Sequence, residues 1–130
     1  MSAWLIDTPV FIDVSRERKG GGSSPATTFL RDAARQGELW SVTPVRTEVR
    51  WGMRTDEARI VNELLDSVFW LDVTVDIADR AGAFGQRYGR SHGLDVVDAI
   101  VAAATEFLSA DLATVNVRDF PMFPALQRPY

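Results

Sequence analysis

The sequence predicts an α/β fold, a three-layer α/β/α sandwich around a central, mainly parallel sheet of four to five short strands. Short apolar runs alternate along the chain with longer segments of helical periodicity, a pattern typical of a parallel sheet covered by helices on both faces. The chain has 130 residues, with no internal repeat and no linker-like stretch. We therefore expect one domain over residues 1–130, built on one core.

The first half of the chain predicts two strands and two helices. An apolar strand at residues 3–6 ends at Asp7, and Thr8-Pro9 is typical of a helix start, so a helix is expected over residues 10 to about 15. The charged and glycine-rich stretch RERKGGGSSP then predicts a flexible loop. A helix opening at Ser24-Pro25 and running to about residue 36 leads into a strand at residues 39–42.

The second half repeats this alternation. Thr43-Pro44 predicts a helix that weakens at Gly52, and residues 55–57 predict the start of another. The remaining expected elements, in chain order, are a strand at 69–73, a helix over about 75–90, a helix beginning near Asp95, a strand at 112–115 and an irregular proline-rich end.

Composition excludes several kinds of chemistry. The chain has no cysteine and one histidine, His92, which excludes disulfides, thiolate zinc sites and sites that need two histidines. A formal charge of −4 disfavours coating of nucleic acid by a basic surface. No apolar run approaches the about 20 residues that cross a membrane, and no basic leader precedes an apolar one, so we expect a cytoplasmic protein without a membrane span.

Acidic and polar side chains follow the predicted strands. Asp7 comes directly after the first strand, Glu48 lies one helical turn after the second, and Asn116 and Asp119 follow the fourth. The carboxyl ends of parallel strands meet at one edge of a sheet, where ligands bind, so these groups are expected to converge. Asp98 joins them only if the helix that begins near Asp95 starts at the same edge, which the sequence leaves open.

Gathered carboxylates repel one another unless a cation neutralises them. Oxygen ligands suit Mg²⁺ or Mn²⁺, and such an ion can hold a phosphodiester and activate water, so Asp7, Glu48 and Asp98 together predict metal-assisted phosphate chemistry. Each carboxylate taken alone has a simpler interpretation as a helix cap or an ion-pair partner. The prediction of a metal site therefore rests on the three acids together, in this order along the chain.

Three arginines are spaced by four residues on the helix that carries Glu48, at Arg46, Arg50 and Arg54. They share one helix face, for which two interpretations remain open. One is a solvated face with ion pairs, and the other is a rim that contacts phosphate.

The whole chain resembles a PIN-domain ribonuclease, specifically a VapC-type toxin of a bacterial toxin–antitoxin pair. LIDTPVFID resembles the first family motif, with Asp7 as a metal carboxylate and Thr8 as the hydroxyl after it. SVTPVRTEVRWG and LDVVDAIVAAAT resemble the second and third, which place the other family acids at Glu48 and Asp98. LATVNVRDF resembles the fourth, with three supporting residues, Thr114, Asn116 and Asp119.

The resemblance implies a Mg²⁺- or Mn²⁺-dependent endoribonuclease, a homodimer that is toxic when free. Its metal would be held by Asp7, Glu48 and Asp98, and a VapB-type antitoxin would lay its C-terminal segment in the active-site groove. The arginine stripe would then steer the RNA substrate or meet the antitoxin. Two positions depart from the family pattern, Pro9 in place of asparagine and Asn116 where some members have aspartate.

Two other functions remain as alternatives. A metal phosphatase on a similar sheet usually carries Asp-x-Asp after the first strand, whereas Asp7 is followed by Thr8 and Pro9. The second alternative is a catalytically impaired PIN fold that only binds RNA or protein. Pro9 and Asn116, which depart from the family pattern, favour this alternative. Retention of all three metal carboxylates speaks against it.

Overall fold

A four-stranded, all-parallel sheet forms the centre of the computed structural model, which describes residues 2–21 and 24–130. The strands are β1 (Ser2–Ile6), β2 (Gly37–Val42), β3 (Phe69–Leu71) and β4 (Asp111–Ala113), in the spatial order β3-β2-β1-β4. The predicted fold class is confirmed, and each predicted strand is present within a few residues of its expected bounds.

Six α-helices connect the strands in the described ranges. They are α1 (Thr8–Gly20), α2 (Pro25–Gln36), α3 (Thr43–Gly52), α4 (Ala58–Asp66), α5 (Val75–His92) and α6 (Val96–Leu108), with short 3₁₀ helices at Thr55–Glu57 and Val117–Asp119. Parallel strands are joined by right-handed crossovers, so the chain lays α1–α4 on one face of the sheet and returns to β4 through α5 and α6 on the other. The contacts agree, since α2 and α3 pack on β2 while α6 packs on β1 and β2.

The core lies on both faces of the sheet around β1, which has a neighbouring strand on each side. Leu5 and Ile6 are fully buried. Trp4 meets Phe29 of α2 edge to face, with 5.1 Å between the ring centroids. On the other face, small side chains of α6 such as Ala102 let that helix approach the sheet closely. Each large side chain buried in this way contributes about 1.5–3 kcal/mol.

The first helix is longer than the sequence predicts. Residues 16–20, expected to belong to a loop, continue α1 to Gly20, so that part of the loop prediction is wrong. Two tertiary ion pairs hold this last turn, Arg18 with Glu63 at 2.9 Å and Lys19 with Asp56. Gly21 ends the helix at φ 66°, a left-handed conformation that glycine adopts without strain. The rest of the predicted loop, Gly22 and Ser23, lies outside the described residues.

Both threonine–proline pairs stand at helix starts, as predicted. The helices begin at the threonines, however, and the capping positions are the preceding residues, Asp7 for α1 and Val42 for α3. Proline lies in the first turn of each helix, where a missing N–H costs no hydrogen bond. The first helix therefore starts directly at the carboxyl end of β1.

None of the helices in the described part of the chain is both long and apolar enough to cross a membrane. After the 3₁₀ turn at Val117–Asp119, the described end of the chain is irregular, as predicted. It is tied to the fold by buried Phe120 and by the Tyr130 hydroxyl, which donates to Asp13 of α1 at 2.7 Å.

Candidate active site at the carboxyl ends of the strands

Asp7 is the fixed centre of the candidate site. It follows β1 directly, its side chain is buried, and its backbone N–H donates to the Ala113 carbonyl at 3.0 Å. One carboxylate oxygen accepts from the Thr8 N–H at 2.9 Å, and the other accepts from the Thr114 hydroxyl at 2.8 Å. Strand pairing and two hydrogen bonds therefore set both the position and the orientation of this carboxylate.

Burial raises the pKa of Asp7 from its ordinary value of 3.8 to about 6. The hydrogen bonds from Thr114 and Thr8 oppose this rise, and the nearby carboxylates of Glu48 and Asp95 add to it. Burial penalises the charged form, and like charges penalise it further. The fold thus holds an acid in a place where its negative charge is unfavourable.

Asp98 lies in the first turn of α6, and its side chain is half-buried. Its pKa is raised to about 7, mainly by burial and then, in decreasing order, by repulsion from Asp95, Asp7 and Asp119. Interaction with Asp7 requires that α6 begin at the same edge of the sheet as the end of β1. The structure thereby resolves the question that the sequence left open, and it places Asp98 with Asp7.

Glu48 reaches the same site from α3. Its side chain is exposed, and its carboxylate accepts from the Thr8 hydroxyl at 2.6 Å. Thr8 therefore links two of the three predicted acids, because its backbone N–H binds Asp7 while its hydroxyl binds Glu48. Helices α1 and α3 both begin at the carboxyl ends of neighbouring strands, which explains why their first turns meet here.

The turn after β4 supplies the supporting residues. Thr114 is buried, and its hydroxyl oxygen accepts from the Asn116 N–H at 3.1 Å while its O–H binds Asp7. The Asn116 side chain is exposed, whereas Asp119 is half-buried and near enough to Asp98 to raise its pKa. Of these two residues, Asp119 is the one that brings charge to the site.

Asp95 is an additional acid of the site that sequence reasoning treated only as a helix start. It does cap α6, since its carboxylate accepts from the Asp98 N–H at 2.8 Å. It also raises the pKa values of both Asp7 and Asp98. Its spacing of three residues from Asp98 was the available signal, because residues so spaced share one helix face.

The donor chemistry of the site fits a hard divalent cation, because every candidate ligand is a carboxylate or hydroxyl oxygen. Within the described ranges, no lysine or arginine forms an ion pair with Asp7, Glu48, Asp95 or Asp98. In the same ranges, no three acidic or histidine side chains converge tightly enough to hold one ion in this arrangement. Glu48 and Asp98 are at least partly exposed, so their side chains are freer than that of Asp7 to change rotamer.

Arg46 and Arg50 of the arginine stripe contact other parts of the molecule, and the prediction that Arg54 lies on the same helix is wrong, because α3 ends at Gly52. The Arg46 guanidinium lies over the Trp70 ring, 5.1 Å from its centroid, and Arg50 donates to the Asn62 side chain at 3.1 Å. Arg54 is exposed just beyond the end of α3. A role for the stripe in contacting RNA or antitoxin stays a prediction.

Comparisons with known proteins identify the family of the chain. A model of the PIN domain matches residues 4–123. Ribonuclease VapC19 of Mycobacterium tuberculosis is 40% identical over 128 residues, which cover 97% of this chain and 98% of the relative. Ribonuclease VapC10 of the same organism is 37% identical over 127 residues, 97% of this chain and 92% of the relative.

Two solved structures share the fold along nearly the whole chain. A toxin–antitoxin complex from Klebsiella pneumoniae matches with a TM-score of 0.75 and 25% identity, over 97% of each chain. VapBC2 from Rickettsia felis, bound to a promoter DNA fragment, matches with a TM-score of 0.75 over 95% of each chain, and at 15% identity it supports the fold alone.

The chain belongs to the PIN-domain family and, within that family, to the VapC proteins.

Proposed function

We propose that this protein is a metal-dependent endoribonuclease, the toxin of a toxin–antitoxin pair that a VapB-type antitoxin neutralises. The observation that carries the proposal is the pair of acids Asp7 and Asp98, whose pKa values are raised to about 6 and about 7 among further carboxylates. Perturbed acids gathered at the ligand-binding edge of an α/β sheet are typical of a catalytic centre.

The relatives support both parts of the proposal. VapC19 and VapC10 are named ribonucleases, and their similarity to this chain extends along nearly its whole length. The Klebsiella pneumoniae structure is a toxin–antitoxin complex, which supports an antitoxin partner. The proposal includes a homodimer, as the family resemblance implies, and a cytoplasmic location, as the sequence predicts.

Asp7, Glu48 and Asp98 would hold Mg²⁺ or Mn²⁺. When bound, such an ion supplies positive charge for the RNA phosphate and lowers the pKa of water to be used as the nucleophile. Thr8 and Thr114 orient Asp7 through their hydrogen bonds. Asp7 thus provides a preorganised oxygen ligand, while the more exposed Glu48 and Asp98 complete the site by side-chain rotation.

The catalytically impaired alternative is not favoured. Pro9 lies in the first turn of α1, where no intrahelical N–H bond is lost, and Asp7 keeps both of its hydrogen bonds beside it. Asn116 brings no charge, but Asp119 lies near Asp98 and supplies one. Neither departure from the family pattern removes an acid from the centre of the site.

The test is cleavage of a mixed RNA pool by purified protein from which antitoxin has been removed. We expect cleavage with Mg²⁺ or Mn²⁺, none with chelator, and a loss on the order of 10³-fold in Asp7→Ala, because the metal site provides several kcal/mol of transition-state stabilisation. Asp98→Ala is the second variant, since a half-exposed position tolerates substitution better than a buried one. The matched control is Asp111→Ala, an exposed acid at the opposite end of β4.

Cleavage that survives in both Asp7→Ala and Asp98→Ala would place the activity elsewhere and contradict the proposal. Folded wild-type protein that cuts no RNA with either metal would favour the binding-module alternative. Circular dichroism of each variant separates loss of the site from loss of the fold.

A further inference from the structure

Trp51 is the most exposed large apolar side chain in the described part of the chain, with 87% of its surface accessible. Indole rings are usually largely buried, because they carry much apolar surface. Trp51 contributes nothing to the core and no hydrogen bond to the described structure. An exposed aromatic ring of this kind marks an interaction site when it borders a groove.

Such a groove runs beside Trp51. It has a volume of about 640 Å³, within the range of ligand-binding clefts, and its lining is mainly apolar. The lining residues are Thr43, Pro44, Thr47, Glu48, Trp51, Gly52 and Val97. They come from α3 and from the start of α6, the two helices that also carry Glu48 and Asp98.

The groove is continuous with the candidate active site through Glu48. Glu48 lines the groove, and its carboxylate accepts the hydrogen bond from Thr8, which in turn binds Asp7. Glu48 and Trp51 are three residues apart on α3 and therefore lie side by side on one helix face. A molecule that reaches from the carboxylates into the groove meets the Trp51 ring next.

On this basis, and resting on the proposed function, we propose that Trp51 is a substrate-binding residue that stacks on an unpaired base of single-stranded RNA next to the scissile phosphate. Proteins hold single-stranded RNA by stacking its bases on aromatic side chains. Thr43 and Thr47 line the same groove, and a threonine hydroxyl can donate to a base edge or accept from it.

Charge makes this groove unsuited to the phosphate backbone of an RNA strand. The chain has a net charge of −4, and the nearby side chains of Glu48, Asp95 and Asp98 are acidic. Attraction of phosphates to lysine and arginine therefore supplies little affinity here. The neutral face of a nucleobase is the part of an RNA strand that this apolar groove can hold, while the phosphate is left for the metal site.

The test is binding of a short labelled oligoadenylate RNA, measured by fluorescence anisotropy in an Asp7→Ala background that leaves the strand intact. Adding Trp51→Ala should weaken binding at least about fivefold, from the energy of stacking a base on an aromatic ring. Trp51→Phe should restore most of the affinity. Phe107→Ala, which removes another exposed aromatic ring at the far end of α6, should change nothing.

A second strand, in which abasic sites replace the bases, separates stacking from a merely structural role. Removing the bases should weaken binding to Trp51-containing protein by a similar factor, and adding Trp51→Ala should then cost nothing more, because both changes remove the same contact. If Asp7→Ala does not fold, the same series is measured on the otherwise unmodified chain in chelator.

Equal affinity of the Trp51→Ala and Trp51 proteins for oligoadenylate would overturn the inference. So would a Trp51→Ala defect that is equally large on the abasic strand. Conversion of a dimer into a monomer by Trp51→Ala, without any effect of the bases, would assign the groove to a second copy of the chain. Weaker antitoxin binding without an effect of the bases would assign it to the antitoxin.

These outcomes are independent of the cleavage test. RNA cleavage that needs Asp7 but does not change in Trp51→Ala, together with unchanged binding, would leave the proposed function intact and refute the stacking role. Base-dependent binding through Trp51 in a chain that cuts no RNA would support the stacking role and refute the proposed function.

Discussion

Asp7 and Glu17 both accept hydrogen bonds from backbone N–H groups at a helix start, but their pKa values shift in opposite directions. Asp7 caps the start of α1, where its carboxylate accepts from the Thr8 N–H and the Thr114 hydroxyl. Glu17 reaches across to the start of α2, where its carboxylate accepts from the N–H groups of Ala26 and Thr27 and from the Thr27 hydroxyl. The pKa of Asp7 is raised to about 6, whereas that of Glu17 lies below its ordinary value.

The difference lies in the surroundings of the two groups. Slight burial raises the pKa of Glu17, but its three hydrogen bonds outweigh that effect. Asp7 is deeply buried and faces Glu48 and Asp95, so its hydrogen bonds do not compensate. The carboxylate of Glu17 is thus stabilised as an anion, while ionisation of the carboxyl at the sheet edge costs stability.

The largest effect on stability is expected at Asp7. Its folded pKa of about 6 exceeds the ordinary 3.8, so its favourable contribution is present below pH 3.8 and is lost as the pH rises through about 6. At pH 8 in chelator the ionised group costs about 3 kcal/mol. Asp7→Asn should therefore raise the free energy of unfolding in urea by up to about 3 kcal/mol.

That gain should shrink as the pH falls toward 5, where the wild-type carboxyl becomes protonated. An Asp7→Asn protein that is less stable than wild type at pH 8 in chelator would mean that the hydrogen-bonded carboxylate stabilises the fold, and the contrast with Glu17 would fail.

A smaller effect of opposite sign is expected at Glu17. Its lowered pKa means that its stabilising contribution is present above the ordinary value of 4.5 and is lost as the pH falls through the folded pKa. Glu17→Gln should lower the free energy of unfolding by about 1 kcal/mol at pH 8, the usual size of a lost helix cap. The same urea titrations measure it, and Glu38→Gln provides a control at an exposed position of β2. Unchanged stability would show that the bridge from α1 to α2 contributes nothing.

Much of the site was predictable because parallel strands bring their carboxyl ends together. The apolar run before Asp7 and the threonine–proline pair after it define a strand that gives way to a helix, and the structure has both. The same logic placed Glu48 beside Asp7, where hydrogen bonds through Thr8 now join the two. Thr114, whose hydroxyl binds Asp7, was named only by the family resemblance, because it lies within the predicted fourth strand.

The features that the sequence did not predict depend on contacts between residues that are far apart in the chain. The last turn of α1 looks like a loop in composition, but it forms a helix whose Arg18 and Lys19 pair with acids far along the chain. Glu57 looks like a surface acid at a helix start, yet it is buried, and its carboxylate accepts from the Arg54 N–H at 2.9 Å. The influence of Asp95 on Asp7 likewise depends on where α6 begins relative to β1.

The most direct test of a metal site at Asp7 is thermal unfolding of antitoxin-free protein with increasing Mn²⁺, compared with Asp7→Asn and Glu17→Gln. A ligand that binds only the folded state stabilises it by about 2.7 kcal/mol at 100 times its dissociation constant. We predict that Mn²⁺ raises the melting temperature of the wild type and of Glu17→Gln alike and leaves that of Asp7→Asn unchanged. An equal rise in Asp7→Asn, or no rise in the wild type, would contradict a divalent-metal site at this edge of the sheet.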